Sequence, residues 1–275
     1  MIKRILVIPD VHGRIFWKEP VQKYIDQVNK VVFLGDYLDP YEDEDGIAED
    51  IFENLLEIIE LKRSHPRNVV LLKGNHDEHY SSTTFMDMAA GSRMDRLNWN
   101  KYHKCFDIYH KLFNIAHLAE INGQPYLFTH AGVTTYWLNK VNARVWHLPD
   151  NEVSLADPKI VRRLNALDNN ERGEELLSVI GKYRSFFHGE KTGSVLWADV
   201  NEHPVCDAPK AYGLDKVFQV FGHTNIDFNM IQFENFAMID SQQCFMIDSA
   251  MSQRIMTISK YEDEMREHVR NDCGS

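Results

Sequence analysis

Residues 31–39 read Val31-Val32-Phe33-Leu34-Gly35-Asp36-Tyr37-Leu38-Asp39. Four consecutive apolar residues, two of them β-branched, predict a short strand buried on both faces. Gly35 ends the run, and two carboxylates follow at once. The same pattern recurs on either side. Upstream, Ile5-Leu6-Val7-Ile8 stops at Pro9-Asp10-Val11-His12, and downstream Val69-Val70-Leu71-Leu72 leads into Gly74-Asn75-His76-Asp77. Between these runs, Phe16 to Val28 and Ile47 to Lys62 carry apolar residues at helical spacing. The second segment has acidic residues early and Lys62-Arg63 late, the order a helix dipole favours. Strand, helix, strand, helix, strand implies βαβ units and a largely parallel sheet.

Further along, residues 80–118 are rich in Met, aromatic and basic residues and read as a helical insertion. Tyr126-Leu127-Phe128 predicts a fourth strand ending at Thr129-His130. Residues 134–190 are polar with helical character and read as a second insertion or cap. Val217 to Phe221 predicts another strand, ending at Gly222-His223. Short segments near Met230, Met238, Phe245 and Ile255–Ser259 follow, separated by turn-like Phe233-Glu234-Asn235 and Ser241-Gln242-Gln243. That spacing predicts antiparallel hairpins. The charged tail after Tyr261 is expected to be solvated. The chain shows no internal repeat, and residues 1–275 read as one domain with two helical insertions.

Composition bounds the function. A chain of 275 residues can bury roughly 75% of its unfolded surface, so it needs no staples. Hydrophobic residues make up 44% and charged residues 26%, which argues against global disorder. The net charge of −11 disfavours non-specific binding to nucleic acid or to an anionic membrane. Cys105, Cys206, Cys244 and Cys273 form no Cys-x-x-Cys pair, so neither a zinc knuckle nor a thioredoxin-like motif is available. The apolar run at the start is too short for a signal peptide, and no stretch reaches the roughly 18 apolar residues of a membrane span. A reducing cytoplasm is the expected compartment.

Five predicted strands end in residues able to bind a hard or borderline metal. They are Asp10-x-His12, Asp36-x-x-Asp39, Asn75-His76-Asp77, His130 and His223. Taken singly, each has an ordinary reading: a turn aspartate, a capped asparagine, a hydrogen-bonded core histidine. Taken together they do not, because ligands of α/β sheets gather outside the carboxyl ends of strands, where these loops can converge. Imidazole, carboxylate and amide oxygen without thiolate suit Mn, Fe or Zn. Six donors exceed the needs of a single zinc, and one carboxylate could bridge two ions about 3.5–4 Å apart, an arrangement suited to phosphoryl transfer.

In that order, these motifs resemble the calcineurin-like metallophosphoesterase superfamily. Asp10-Val11-His12-Gly13, Gly35-Asp36-Tyr37-Leu38-Asp39 and Leu196-Trp197-Ala198-Asp199 are most similar to its Ser/Thr phosphoprotein-phosphatase branch. The resemblance implies a β-sandwich of two mixed sheets flanked by helices, which accommodates the late hairpins better than a simple parallel sheet. It implies two divalent transition metals with a bridging hydroxide, Mn being favoured and Fe or Zn possible. Asp10 and His12 would hold the first ion, Asp36 would bridge, and Asn75, His130 and His223 would hold the second. His76 would be the general acid for the leaving oxygen, oriented by Asp39.

The chain departs from the branch at two places, and at a third, where the branch differs too, from many members of the superfamily. Pro40-Tyr41 follows Asp39 where the branch has Arg-Gly, whose Arg grips phosphate. His130 is followed by Ala131-Gly132 rather than Gly-Gly, as in symmetrical dinucleoside tetraphosphatases. Asn225 stands where many superfamily members carry a second His after Gly222-His223. A phosphate dianion beside acidic residues still needs positive donors. Arg14 is the main candidate for that substrate-binding role, ahead of Arg93 and Arg96. The leading substrate is a phosphorylated protein, the alternative a dinucleoside polyphosphate or other small phosphoester, and the third a nucleic acid, which the acidity disfavours. A non-catalytic scaffold is the reading from another class, and metal content discriminates it. Oligomeric state is not legible in the sequence.

Overall fold

Alternation along β1 (Arg4–Ile8) splits its side chains between two cores. Ile5 and Val7 face one way and join Val32, Leu34, Val70 and Leu72. Leu6 and Ile8 face the other way and join Val31, Phe33, Val69 and Leu71. The period of two in a strand buried on both faces requires this. The computed structural model describes residues 3–41, 45–81, 93–185, 189–203, 211–225 and 230–273, with side chains described to residue 267.

β1, β2 (Lys30–Phe33), β3 (Val69–Leu72) and β4 (Phe113–Asn114) are parallel neighbours in that order. On the far side of β1, β10 (Phe245–Asp248) and β11 (Met256–Thr257) add antiparallel strands, giving a six-stranded mixed sheet. The second sheet orders β5 (Ala116–Ile121), β6 (Gln124–Thr129), β7 (Phe218–Phe221), β9 (Phe236–Met238) and β8 (Ile231–Gln232). Within it, β6–β7 and β7–β9 are parallel, while β5–β6 and β8–β9 are antiparallel. The inner faces of the two sheets meet around Val7, Val32, Leu72, Phe128, Phe218, Val220 and Phe245. This is the two-sheet sandwich that the family resemblance implies.

Helices cover both outer faces. α1 (Lys18–Tyr24), α2 (Ile51–Ser64) and α4 (Trp99–Tyr109) pack on the first sheet through Val21, Tyr24, Leu55, Ile58, Ile59, Tyr102 and Phe106. α2 starts where Asp50 accepts from the Phe52 and Glu53 amides, as an N-cap does. α5 (Thr135–Val141), α6 (Pro158–Asn165) and α7 (Glu171–Leu177) form the cap over the second sheet, around Trp137, Leu138, Leu164 and Leu177. Trp137, Trp146, Tyr102 and Phe106, aromatics of the two insertions, thus fill cores rather than line a crevice.

Two expectations are corrected, and the reading of the tail gains a helix. Residues 80–118 are not helical throughout, since β4 and the start of β5 lie inside that range; residues 82–92 lie outside the described residues. Ser241-Gln242-Gln243 does not join a hairpin: it connects β9 in one sheet to β10 in the other. The tail after Tyr261 belongs to α8 (Ile258–Cys273), whose Asp263, Arg266 and Glu267 are solvated as expected while Ile258, Tyr261 and Met265 pack on the first core at helical spacing. The Tyr261 hydroxyl donates to Asp248, 3.0 Å away.

A buried histidine and a half-buried one outside the crevice give the fold an acid limit. His203 donates from Nε2 to the Ala131 carbonyl at 3.0 Å and stacks on Phe221, and burial pushes its pKa down to about 4. Burial does the same to His117. Each is neutral when folded and takes up a proton near pH 6.5 when unfolded. The unfolded state therefore binds more protons between pH 6.5 and about 4, and stability falls as pH drops through that window. The melting temperature of the wild type should decline below pH 6.5, and that of His203→Gln less steeply. Equal slopes would remove His203 from the account.

Candidate metal centre

The carboxyl ends of β1, β2 and β3 lie side by side in one sheet, and those of β6 and β7 in the other. All the loops singled out by sequence leave from these ends. They are sewn together by main-chain bonds. The His12 amide donates to the Asp36 carbonyl at 2.6 Å, the Gly13 amide to Tyr37 at 2.9 Å, and the Gly222 amide to His130 at 2.7 Å. The His223 amide donates across the sandwich to the Asp10 carboxylate, at 3.0 and 3.2 Å. Four of the site residues adopt left-handed backbone: His12 at φ 46, Asp36 at 52, Asp39 at 59 and His223 at 69. Such conformations cost about 1–3 kcal/mol each and persist where the surroundings fix them. Two glycines permit the crowding. A Cβ on Gly74 would overlap Asp36 Oδ1, and one on Gly222 would overlap Asp10 Oδ1.

The donor atoms converge. His130 Nε2 lies 2.9 Å from Asn75 Oδ1 and 3.1 Å from His223 Nδ1, and His223 Nδ1 lies 2.9 Å from Asn75 Oδ1. Asp36 Oδ2 lies 3.5 Å from both His130 Nε2 and His12 Nε2, so it stands between two clusters. Grouped by ligand atoms within 4.8 Å of one another, the described residues give His12, Asp36 and His76 on one side and Asp36, His130 and His223 on the other. Asp10 faces the same crevice, where Asp36 acts on it electrostatically.

Tautomers decide what these clusters accept. His130 Nδ1 lies 3.0 Å from the Leu34 carbonyl and His12 Nδ1 lies 2.9 Å from the Leu38 carbonyl. A carbonyl accepts only, so each Nδ1 carries the proton and each Nε2 presents a lone pair to Asp36. Lone pairs facing a carboxylate and an amide oxygen have no proton to share. A cation resolves that conflict. Donors about 3 Å apart are also the spacing adopted around an ion with bonds of about 2.1 Å. The residues therefore fit divalent metal.

The electrostatics agree. Burial lowers the His12 pKa to about 3 and lowers those of His130 and His223, keeping the imidazoles neutral as ligands must be. Burial raises the pKa of Asp10 well above the usual carboxylate range, and the negative charges of Asp240 and Asp36 add to the effect. Asp36, though buried, is held well below the usual carboxylate range, and its Oδ1 accepts from the His76 amide at 2.9 Å.

Behind the donors lies a supporting layer. His76 Nδ1 is 2.8 Å from Asp39 Oδ2, and the Tyr80 hydroxyl donates to Asp39 Oδ1. Asp77 accepts from three amides, those of Gly74, Asp36 and Tyr37, at 2.7, 2.8 and 3.0 Å. Lys73, buried, donates to both oxygens of Asp168 at 2.8 and 2.7 Å, tying the helical cap to the loop that carries Asn75 and His76. Sequence reasoning assigned none of these three supporting roles to Tyr80, Asp77 or Lys73. Tyr80 could have been found, since it sits one helical turn after His76 on α3 (Asn75–Ser81). Arg14 is buried beside the first motif and donates from Nε to the Val11 carbonyl and from Nη2 to the Asp10 carbonyl, both at 3.1 Å.

Parallel strand ends from two packed sheets thus gather a shared carboxylate and neutral imidazoles into a site able to hold divalent metal. The family model for calcineurin-like phosphoesterases matches residues 3–227, and the chain belongs to that family, whose members use divalent metals and hydrolyse phosphoesters. No curated protein matches the chain significantly. Among solved structures, a Saccharomyces cerevisiae protein serine/threonine phosphatase with similarity to human PP5 is 18% identical, with TM-score 0.46, covering 93% of this chain and 79% of its own. The Escherichia coli phosphoesterase YfcE is 11% identical, with TM-score 0.38, covering 89% and 88%. A conserved uncharacterized protein of Streptococcus pneumoniae, described as a predicted phosphoesterase, is 12% identical, with TM-score 0.28, covering 90% and 84%.

Proposed function

We propose that the chain is a phosphomonoesterase acting on Ser/Thr phosphoproteins through a dinuclear metal centre. The observation that carries the dinuclear reading is Asp36 Oδ2, equidistant at 3.5 Å from His12 Nε2 and His130 Nε2. Asp10, His12 and Asp36 would hold one ion; Asp36, Asn75, His130 and His223 would hold the other. Mn²⁺ is the favoured metal, with Fe or Zn as alternatives, because the donors are imidazole, carboxylate and amide oxygen. When bound, the ions supply Lewis acidity toward phosphoryl oxygens and acidify water at neutral pH.

The protein's own groups do the rest. Asp39 holds the proton of His76 on Nδ1, and the His76 ring lies edge-on to His12 at 5.1 Å, beside the first cluster. From there His76 hands a proton to the leaving oxygen, which departs as the alcohol of a seryl or threonyl side chain. Arg14 contributes positive charge at the floor of the crevice, where it opposes protonation of both Asp10 and His12. The phosphoprotein reading draws support from the Asp10-Val11-His12-Gly13, Gly35-Asp36-Tyr37-Leu38-Asp39 and Leu196-Trp197-Ala198-Asp199 patterns. His130-Ala131-Gly132 favours dinucleoside tetraphosphate as the second reading.

No helix among the described residues is long and apolar enough to cross a membrane. Cys105 and Cys244 are buried free thiols, in keeping with work in a reducing cytoplasm.

Purified protein loaded with Mn²⁺ should hydrolyse p-nitrophenyl phosphate, then release phosphate from phosphoserine peptides faster than from dinucleoside tetraphosphate. The reverse preference would replace the substrate assignment, and no hydrolysis of any of the three would reject the activity. Arg14→Ala should raise KM for p-nitrophenyl phosphate with folding intact, as judged by its melting temperature. An unchanged KM would remove Arg14 from substrate binding.

A further inference from the structure

We propose that Arg93 grips the terminal oxygens of a bound phosphoryl group, taking the place left by Pro40-Tyr41. The inference rests on the reading of the crevice as a phosphomonoester site. Tyr41 lays its ring edge-on to His12, with centroids 5.3 Å apart. The Arg93 guanidinium stacks over that same Tyr41 ring, 3.4 Å from its centroid. Its Nε donates to the Asp39 carbonyl at 3.2 Å, at the residue that orients His76. Arg93 is thus braced on two residues that themselves brace the first cluster and the general acid.

Its remaining donors are what matter. Among the described residues, Arg93 Nη2 is buried and has no hydrogen-bond partner. A buried donor left unpaired is costly, and an acceptor brought in by a ligand would satisfy it. Two other guanidiniums near the crevice are engaged with protein oxygens. Arg14 turns Nε and Nη2 to the carbonyls of Val11 and Asp10. Arg184 is committed as well: its Nε lies 2.9 Å from Asp199 Oδ2 as an ion pair without hydrogen-bond geometry, and its Nη2 donates to Thr224 and the His223 carbonyl. The charge of Arg93 is felt inside the site, where it disfavours protonation of His12.

The chemistry fits a phosphomonoester. A phosphoryl dianion set among Asp10, Asp36 and Asp39 needs cationic donors, and the planar fork of an arginine matches two terminal oxygens at once. Stacking on Tyr41 holds the fork in one plane, so little freedom is lost on binding. A residue from the segment before α4 supplies the grip, so it does not show in the motif that follows β2.

Inorganic phosphate is the probe, titrated calorimetrically into the full chain loaded with Mn²⁺. Arg93→Ala should weaken phosphate binding roughly 10- to 100-fold, the effect of losing charge-assisted hydrogen bonds. Arg93→Lys should recover part of the loss, because it keeps the charge without the fork. Bound Mn²⁺ and melting temperature should stay at wild-type values. Phosphate affinity unchanged in Arg93→Ala would overturn the proposal, as would loss of Mn²⁺ along with phosphate, which would make Arg93 a structural brace. A wild type that binds phosphate through Arg93 yet hydrolyses no phosphomonoester would sink the catalytic reading and leave this assignment standing.

Discussion

Asp36→Asn is expected to lower kcat by at least about a thousandfold and to reduce bound divalent metal to one equivalent or less. Asp36 is the one residue shared by both donor clusters. Replacing one oxygen by an NH₂ group removes the negative charge and turns two donor hydrogens toward imidazole lone pairs or metal. Metal assistance is worth several kcal/mol of transition-state stabilisation, and about 1.4 kcal/mol corresponds to tenfold in rate. The fold should survive, since the Asp36 main chain keeps its bonds to His12 and Asp77. Metal content by elemental analysis and steady-state kinetics check the two halves separately. Wild-type kcat in a variant of unchanged metal content would end the dinuclear account.

His76→Gln should behave differently: kcat falls by about 10²–10⁴, the range for removing a positioned general acid, while both metals stay. The distinction follows from geometry. His76 lies with His12 and Asp36, but its Nδ1 is committed to Asp39. The loss should be greatest for substrates with a poor leaving group, such as phosphoserine peptides, and smallest for p-nitrophenyl phosphate, whose phenolate leaves without help. An equal loss on both would show that His76 does not donate the proton. Full retention of activity would exclude it from the reaction.

The crevice was legible in the sequence because each of its residues follows directly on a strand that is a plain apolar run. Asp36 comes two residues after Leu34, His130 two after Phe128 and His223 two after Phe221. Strand order and sidedness then bring those ends to one edge. What lies between was less legible. Ala116-His117-Leu118-Ala119-Glu120 is built from good helix formers, so its strand identity comes from pairing with β6 rather than from propensity. The neighbouring Asn122-Gly123, at φ 51 and 77, is the two-residue hairpin turn that would have corrected the reading. The passage of the chain from β9 to β10 across the sandwich has no local signal, because Ser241-Gln242-Gln243 looks like any tight turn. Lys73 with Asp168 and Arg93 with Tyr41 are pairings between distant segments. Neither member of either pair carries a local mark of the other, and only the folded chain joins them.

The arrangement of the metals tests the account most directly. Crystals of the protein grown with Mn²⁺ should show two anomalous peaks in the crevice. One should be held by Asp10, His12 and Asp36, the other by Asp36, Asn75, His130 and His223, with Asp36 touching both. A single peak that leaves Asp36 unshared, or ions bound elsewhere while these side chains stay unligated, would contradict it.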